Sequence, residues 1–116
     1  MRVAVIGSRD FKDYTKLKNT LDSVFFPISE IISGGARGAD SLAERYAEEN
    51  YISLKVFRPD WTIGKHAGFL RNTQIIESCD VVVAFWDGVS KGTLDSIRKA
   101  EKIGKRVIKV LFNNKE

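Results

Sequence analysis

The chain has 116 residues, 43% hydrophobic and 29% charged, with a formal net charge of +4. That composition excludes a disordered chain and a separate substrate domain, so any site must be built from loops of one core or shared with a second copy. No apolar run is long enough to span a bilayer, and residues 1–7 read as a first strand rather than a signal peptide, so the expected location is cytoplasmic and no membrane partner is expected.

In chain order, apolar runs at 3–6, 31–32, 54–57, 81–85 and 107–111 alternate with segments long enough for one helix each. The first helix is predicted from the stripe Tyr14, Leu17, Leu21, Val24 and Phe25. The second carries Ala39, Leu42, Ala43, Tyr46 and Ala47 on one face, with Glu44, Arg45, Glu48 and Glu49 on the wet one. A less regular helix is predicted over roughly 67–78, and a last one from Leu94, Ile97, Ala100 and Ile103. The unbroken runs 3–6 and 81–85 suit central strands covered on both faces, whereas Leu54-Lys55-Val56 alternates, which suits a strand exposed on one side or at an edge. Right-handed crossovers then predict a Rossmann-like three-layer α/β sandwich with a parallel five-stranded sheet, order 3-2-1-4-5, as one domain over 1–112. Residues 113–116 read as a disordered tail.

Three glycine-bearing junctions follow strand-like runs: Gly7-Ser8-Arg9-Asp10, Ser33-Gly34-Gly35-Ala36-Arg37-Gly38-Ala39-Asp40 and Gly88-Val89-Ser90-Lys91-Gly92-Thr93. A strand that breaks into glycine and then opens a helix leaves unpaired N–H groups and the positive end of the helix dipole facing one point. Each loop alone reads equally well as a tight turn. All three lie at the carboxyl ends of strands, where ligands of such sheets bind, and together they point to one anionic ligand.

Within these loops Gly34 and Gly35 are expected to cover a phosphate, with Arg37 adding a forked contact. Gly38 reads as a close-packing glycine and Asp40 as a first-turn carboxylate rather than a base. Ser8 and Arg9 project over the switch point, and Asp10 either orients Arg9 or caps the next segment. Ser90, Gly92 and Thr93 supply a second set of N–H groups, with Thr93 either capping the helix or touching a phosphate oxygen. Lys65, His66, Arg71 and Asn72 form a polar group after the third strand, and Trp61 or Trp86 is placed to stack on a base. The single His66 has no Cys or His companion, so no metal is expected, and no cofactor is required. Cys79, the only cysteine, excludes an internal disulfide and reads as a buried small residue. The basic residues are scattered, Lys12, Lys16 and Lys18 near the first helix and Arg98, Lys99, Lys102, Lys105 and Arg106 near the last, which reads as solvated faces rather than a nucleic-acid track.

These segments, with Pro59-Asp60-Trp61, Gly64-Lys65, Ala67-Gly68, Arg71-Asn72 and Ala84-Phe85-Trp86-Asp87-Gly88, resemble the SLOG superfamily over about 2–111, and within it the small single-domain YspA-like branch. The superfamily joins the DprA/SMF DNA-processing proteins and the Lonely Guy nucleotide hydrolases. The resemblance implies a nucleotide or nucleotide-derived ligand of NAD or ADP-ribose type. The Lonely Guy branch uses an arginine and the glutamate of a Gly-Thr-x-x-Glu motif. Arg71 matches the arginine, but Gly92-Thr93-Leu94-Asp95-Ser96 puts Ser96 at the glutamate position and Asp95 one residue early, about 100° around a helix. The expectation is a sensor or sequestering protein, more a binder than an enzyme, with self-association as a further expectation. The alternatives are a hydrolase of an N-glycosidic or phosphate bond, with Arg71 and with Asp95, Asp10 or Asp87 as acid or base, and DprA-like single-strand DNA binding.

Overall fold

Strands β1 (Arg2–Gly7) and β4 (Val81–Trp86) pair in parallel at the middle of the sheet, with Val5 opposite Val83 and Gly7 opposite Phe85. The computed structural model describes residues 1–113; of the predicted tail, 114–116 lie outside the described residues. Among the described residues the remaining elements are α1 (Tyr14–Asp22), β2 (Glu30–Ser33), α2 (Ala39–Glu49), β3 (Ser53–Val56), a 3-10 turn (Trp61–Ile63), α3 (Ala67–Ser78), α4 (Lys91–Lys102) and β5 (Arg106–Leu111). The sheet is parallel throughout, in the order β3-β2-β1-β4-β5, and the predicted architecture is the observed one.

Because strand side chains alternate between faces, each central strand feeds two cores. Val3, Val5, Val83 and Phe85 pack with Leu17 and Leu21 of α1 and with Ala43, Tyr46 and Ala47 of α2. Ala4, Ile6, Val82 and Ala84 pack with Ile75 and Ile76 of α3 and with Ile97 and Ala100 of α4, beside the buried Cys79. Helices therefore cover both faces, which is why β1 and β4 carry no polar residue between Val3 and Ile6 or between Val81 and Phe85. β3 lies at the edge of the sheet as predicted, but Leu54 is exposed together with Lys55, so the alternation does not mark a buried face there.

The first helix is shorter than its stripe. Ser23 closes it, its N–H and hydroxyl both donating to Thr20 O and its N–H also to Asn19 O. Val24 and Phe25 fall beyond that end, and Phe25 is 81% exposed beneath the Arg106 guanidinium. Ile103 likewise caps α4 from outside and is exposed. No helix among the described residues is long and apolar enough to cross a membrane.

Phe11 fixes the loop that matters most for the site. It is buried, its ring 4.7 Å from Phe85 and 4.8 Å from Phe112 between centroids, so the chain after β1 is pinned to the core three residues beyond Ser8. The Phe11 N–H donates to Ser8 O at 3.2 Å and closes the turn.

Candidate functional site

The chain reverses its direction of winding between β1 and β4, and the crevice outside their carboxyl ends is the switch point of the sheet. Ser8 sits at its floor. Its N–H donates to Phe85 O at 3.0 Å, extending the β1–β4 ladder, and its carbonyl receives Phe11 N–H and Ala39 N–H. The residue is 2% exposed, and its hydroxyl has no hydrogen-bond partner. It stands near enough to Asp87 to favour the charged carboxylate, but not in bonding geometry. A buried hydroxyl without a partner is uncommon, because the uncompensated desolvation costs about 1–3 kcal/mol.

The glycine-rich loop before α2 differs from its expectation. The N–H of Gly35 donates to Ser33 Oγ at 3.2 Å and that of Ala36 to Asp40 Oδ2 at 3.1 Å, so neither is presented to a ligand. Ser33 is fully buried, donates to Glu44 Oε2 at 2.9 Å, and acts as an internal pin of the loop. Gly38 has φ +79°, and a Cβ there would lie 2.5 Å from the carbonyl oxygens of both Ser8 and Arg9; only glycine lets α2 begin against the β1 loop. Asp40, in the first turn of α2, is 7% exposed. Burial pushes its carboxyl up to about 6, against the pull of the Ala36 N–H and of Arg71 and with a push from Glu44.

Arg71 of α3 crosses to this loop and donates through Nη1 to Gly34 O. Its Nε donates to Asn72 Oδ1 at 3.0 Å, while Asn72 Nδ2 lies 3.3 Å from both Gly92 O and Asp95 Oδ2. Asp95 is paired with Lys99 at 2.8 Å. Burial pulls the Arg71 pKa down, opposed by nearby Asp40 and reinforced by Arg9.

The third junction provides the opposite wall. Asp87 Oδ1 accepts from the N–H groups of Val89 and Ser90 at 2.9 and 2.8 Å; burial works against its charge, but these bonds prevail and hold its pKa below the usual carboxylate range. Ser90 opens α4 with no side-chain cap, its hydroxyl 3.2 Å from Thr93 Oγ1. The first-turn N–H groups of α4 thus face the crevice with the positive helix end.

These walls enclose two adjoining lobes. The first, about 430 Å³, is lined by Gly7, Ser8, Asp10, Asp40, Asn72, Asp87, Ser90, Gly92, Thr93 and Ser96 among others. The second, about 450 Å³, is lined by Gly34, Gly35, Arg58, Pro59 and Trp61. Arg9, Ala36, Arg37 and Arg71 line both. Among the described residues, none of Arg9, Arg37, Arg58 and Arg71 takes part in an ion pair.

Most of the predicted site residues therefore converge, from loops far apart in sequence. Trp86 instead donates through Nε1 to Ser90 O at 3.1 Å and braces the loop; neither it nor Ser33, Lys65 or Asp95 lines a lobe. His66 is exposed at the start of α3. Arg58 was not singled out from the sequence, although it follows the carboxyl end of β3 just as Ser8 and Arg9 follow β1, and that position was the available signal.

The fold and the crevice define a small Rossmann-like α/β protein whose cleft opens at the switch point of a parallel sheet. The profile of the family described as YAcAr, the YspA, cpYpsA-related SLOG family, matches residues 1–64, which include the loops after β1 and β2 and Arg58 to Gly64. Gene 61 protein of Mycobacterium phage D29 is 38% identical over 117 aligned residues, covering 92% of this chain and 94% of that relative. The chain belongs to the YspA, cpYpsA-related SLOG family, and membership suggests a nucleotide-related ligand-binding or processing role.

Proposed function

We propose that this protein binds a nucleotide or nucleotide-derived ligand of NAD or ADP-ribose type in the cleft at the carboxyl edge of the sheet, and acts by sensing or sequestering it. The observation that carries this reading is the meeting, in the first lobe, of the unpartnered Ser8 hydroxyl with the uncapped amino end of α4. A phosphoryl group there accepts from the first-turn N–H groups of α4 and from Ser8, with Arg71 and Arg37 neutralising it. Trp61, 56% exposed at the edge of the second lobe, offers a face for a base.

Binding rather than turnover is favoured by Asp95, whose carboxylate is already held by Lys99 and Asn72, and by Ser96, which has no carboxylate to support an oxocarbenium-like transition state. Of the hydrolase reading's residues, Arg71, Asp10 and Asp87 line the same lobe. One experiment separates the two: purify the protein without added ligand, record its native mass, denature it, and identify any released small molecule by liquid chromatography and mass spectrometry. A near-stoichiometric intact nucleotide derivative supports sequestration. An empty protein that converts an offered nucleotide to base and sugar phosphate is a hydrolase, and one that neither binds nor converts overturns the proposal.

A further inference from the structure

We propose that the second lobe of the cleft is an anion subsite of its own, built to take a second phosphoryl group of the same ligand through guanidinium groups seated on the carbonyls of the Gly34-Gly35 turn. This rests on the nucleotide reading of the first lobe.

With the Gly35 and Ala36 N–H groups already bonded within the loop, the turn presents its carbonyl oxygens instead. Arg71 Nη1 donates to Gly34 O, and Arg58 Nη1 donates to Gly35 O at 3.2 Å. Two arginines from different elements, one after β3 and one on α3, are thereby laid on successive residues of one turn. Each guanidinium has five N–H donors in a fixed fork. Among the described residues Arg58 donates only to Gly35 O, so the rest of its fork remains for a ligand.

The glycines are what make this seat. A Cβ at Gly34 would stand 2.7 Å from Arg71 Nη1, and one at Gly35 would stand 2.6 Å from Arg58 Nη1. Any side chain at either position pushes a guanidinium off its carbonyl. Gly35 also has φ +73°, which disfavours other residues on backbone grounds alone.

Charge argues the same way. Arg9 and Arg37 complete the wall, and among the described residues lining this lobe there is no carboxylate, whereas the first lobe carries Asp10, Asp40 and Asp87. Arg9 lies close enough to Arg71 to oppose its charge. Unpaired like charges gathered round a cavity repel one another until an anion enters, and a phosphoryl group, with several peripheral oxygens, accepts forked bonds from two arginines at once. A neutral sugar gives these guanidinium groups no charge to neutralise, and a base finds its match only at the Trp61 edge of the lobe. The ligand class is thus a nucleotide with two phosphoryl groups, either in a diphosphate chain or on two positions of the sugar.

The test is calorimetric titration of the full chain with AMP, ADP and adenosine 3′,5′-bisphosphate at one ionic strength, with the wild type and Arg58→Ala. Arg58 is exposed, and matching melting curves check that the variant is folded. The expected result is that ADP or the bisphosphate binds the wild type about tenfold or more tighter than AMP, and that Arg58→Ala removes most of that preference. Preference for ADP identifies a diphosphate chain, and preference for the bisphosphate identifies two separated groups. AMP binding with no preference, or a preference that survives Arg58→Ala, overturns the second subsite and leaves the first lobe's reading standing. If none of the three binds, the nucleotide reading falls and the subsite with it.

Discussion

Asn72 holds Arg71 in place: its Oδ1 accepts from Arg71 Nε at 3.0 Å, and its amide nitrogen faces Gly92 O and Asp95 Oδ2, both at 3.3 Å. The acceptors on one side fix which end of the amide is nitrogen, and so force the oxygen toward Arg71. At 8% exposure the side chain has little water to replace these partners. Asn72→Ala should cost about 1–3 kcal/mol in urea denaturation, because several buried polar groups lose a partner together. Asp95→Asn keeps an acceptor for Asn72 and loses only the pair with Lys99, so its cost should stay under about 1 kcal/mol. Nucleotide affinity should follow the same order, falling about tenfold for Asn72→Ala and much less for Asp95→Asn. A collapse of turnover or binding in Asp95→Asn at unchanged stability would instead make Asp95 a direct participant.

Ser8 gives a prediction in which stability and binding move in opposite directions. Removing a buried hydroxyl that has no partner should leave Ser8→Ala as stable as the wild type, or up to about 1 kcal/mol more stable. Loss of a donor to a bound phosphoryl group should weaken nucleotide binding by about five- to tenfold. Melting curves and titrations on the same preparations check both. Lower stability with unchanged affinity would mean that Ser8 is an ordinary core residue.

Gly38 and Arg37 are neighbours with opposite expectations. Gly38→Ala combines a positive φ with a Cβ 2.5 Å from two backbone oxygens that cannot swing aside, and should cost about 2 kcal/mol or more. Arg37 is exposed and without an ion pair among the described residues, so Arg37→Ala should change stability by less than about 0.5 kcal/mol while weakening binding. Gly35→Val is the poorer probe of the site, since its strain at φ +73° and the crowding by Arg58 and Val56 confound binding with folding. Urea denaturation of the Gly38 and Arg37 variants, with titration of Arg37→Ala, decides the pair.

The sheet order was legible because periodicity reports burial: the unbroken runs 3–6 and 81–85 suit central strands, and Leu54-Lys55-Val56 suits a strand exposed on one side or at an edge. The location of the cleft followed, since the glycine junctions fall at strand carboxyl ends. What the residues did not disclose was the direction in which each polar group is used. A Gly-Gly turn looks the same whether its N–H groups serve a ligand or, as here, serve Ser33 and Asp40 while its carbonyls hold Arg58 and Arg71. Trp86 and Asp95 carry the right chemistry in the right loop, but turn toward Ser90 and toward Lys99 and Asn72. Those choices depend on contacts between elements up to 37 residues apart, as for Arg71 and Gly34, which no local pattern encodes.

Asp40 makes the pH dependence of folding a test of the site. In the unfolded chain its carboxyl titrates near its ordinary value, about 3.9. In the folded protein burial pushes it up to about 6, despite the Ala36 N–H and Arg71 and helped by Glu44. Between those values the folded state binds a proton that the unfolded state does not, so this group's stabilising contribution is present below about pH 4 and is lost as pH rises through about 6. The loss is on the order of 2–3 kcal/mol. Asp40→Asn does not titrate and still offers an oxygen to the Ala36 N–H. Its stability relative to wild type should therefore rise from pH 4 to pH 7 by about that amount in urea denaturation, the other carboxylates cancelling in the difference. A flat difference would mean that Arg71 and the loop N–H groups fully offset burial. A rising one would mean that, at neutral pH, the protein keeps a charged carboxylate beside Arg71 at the expense of stability, where a bound anion would compete with it for the same guanidinium.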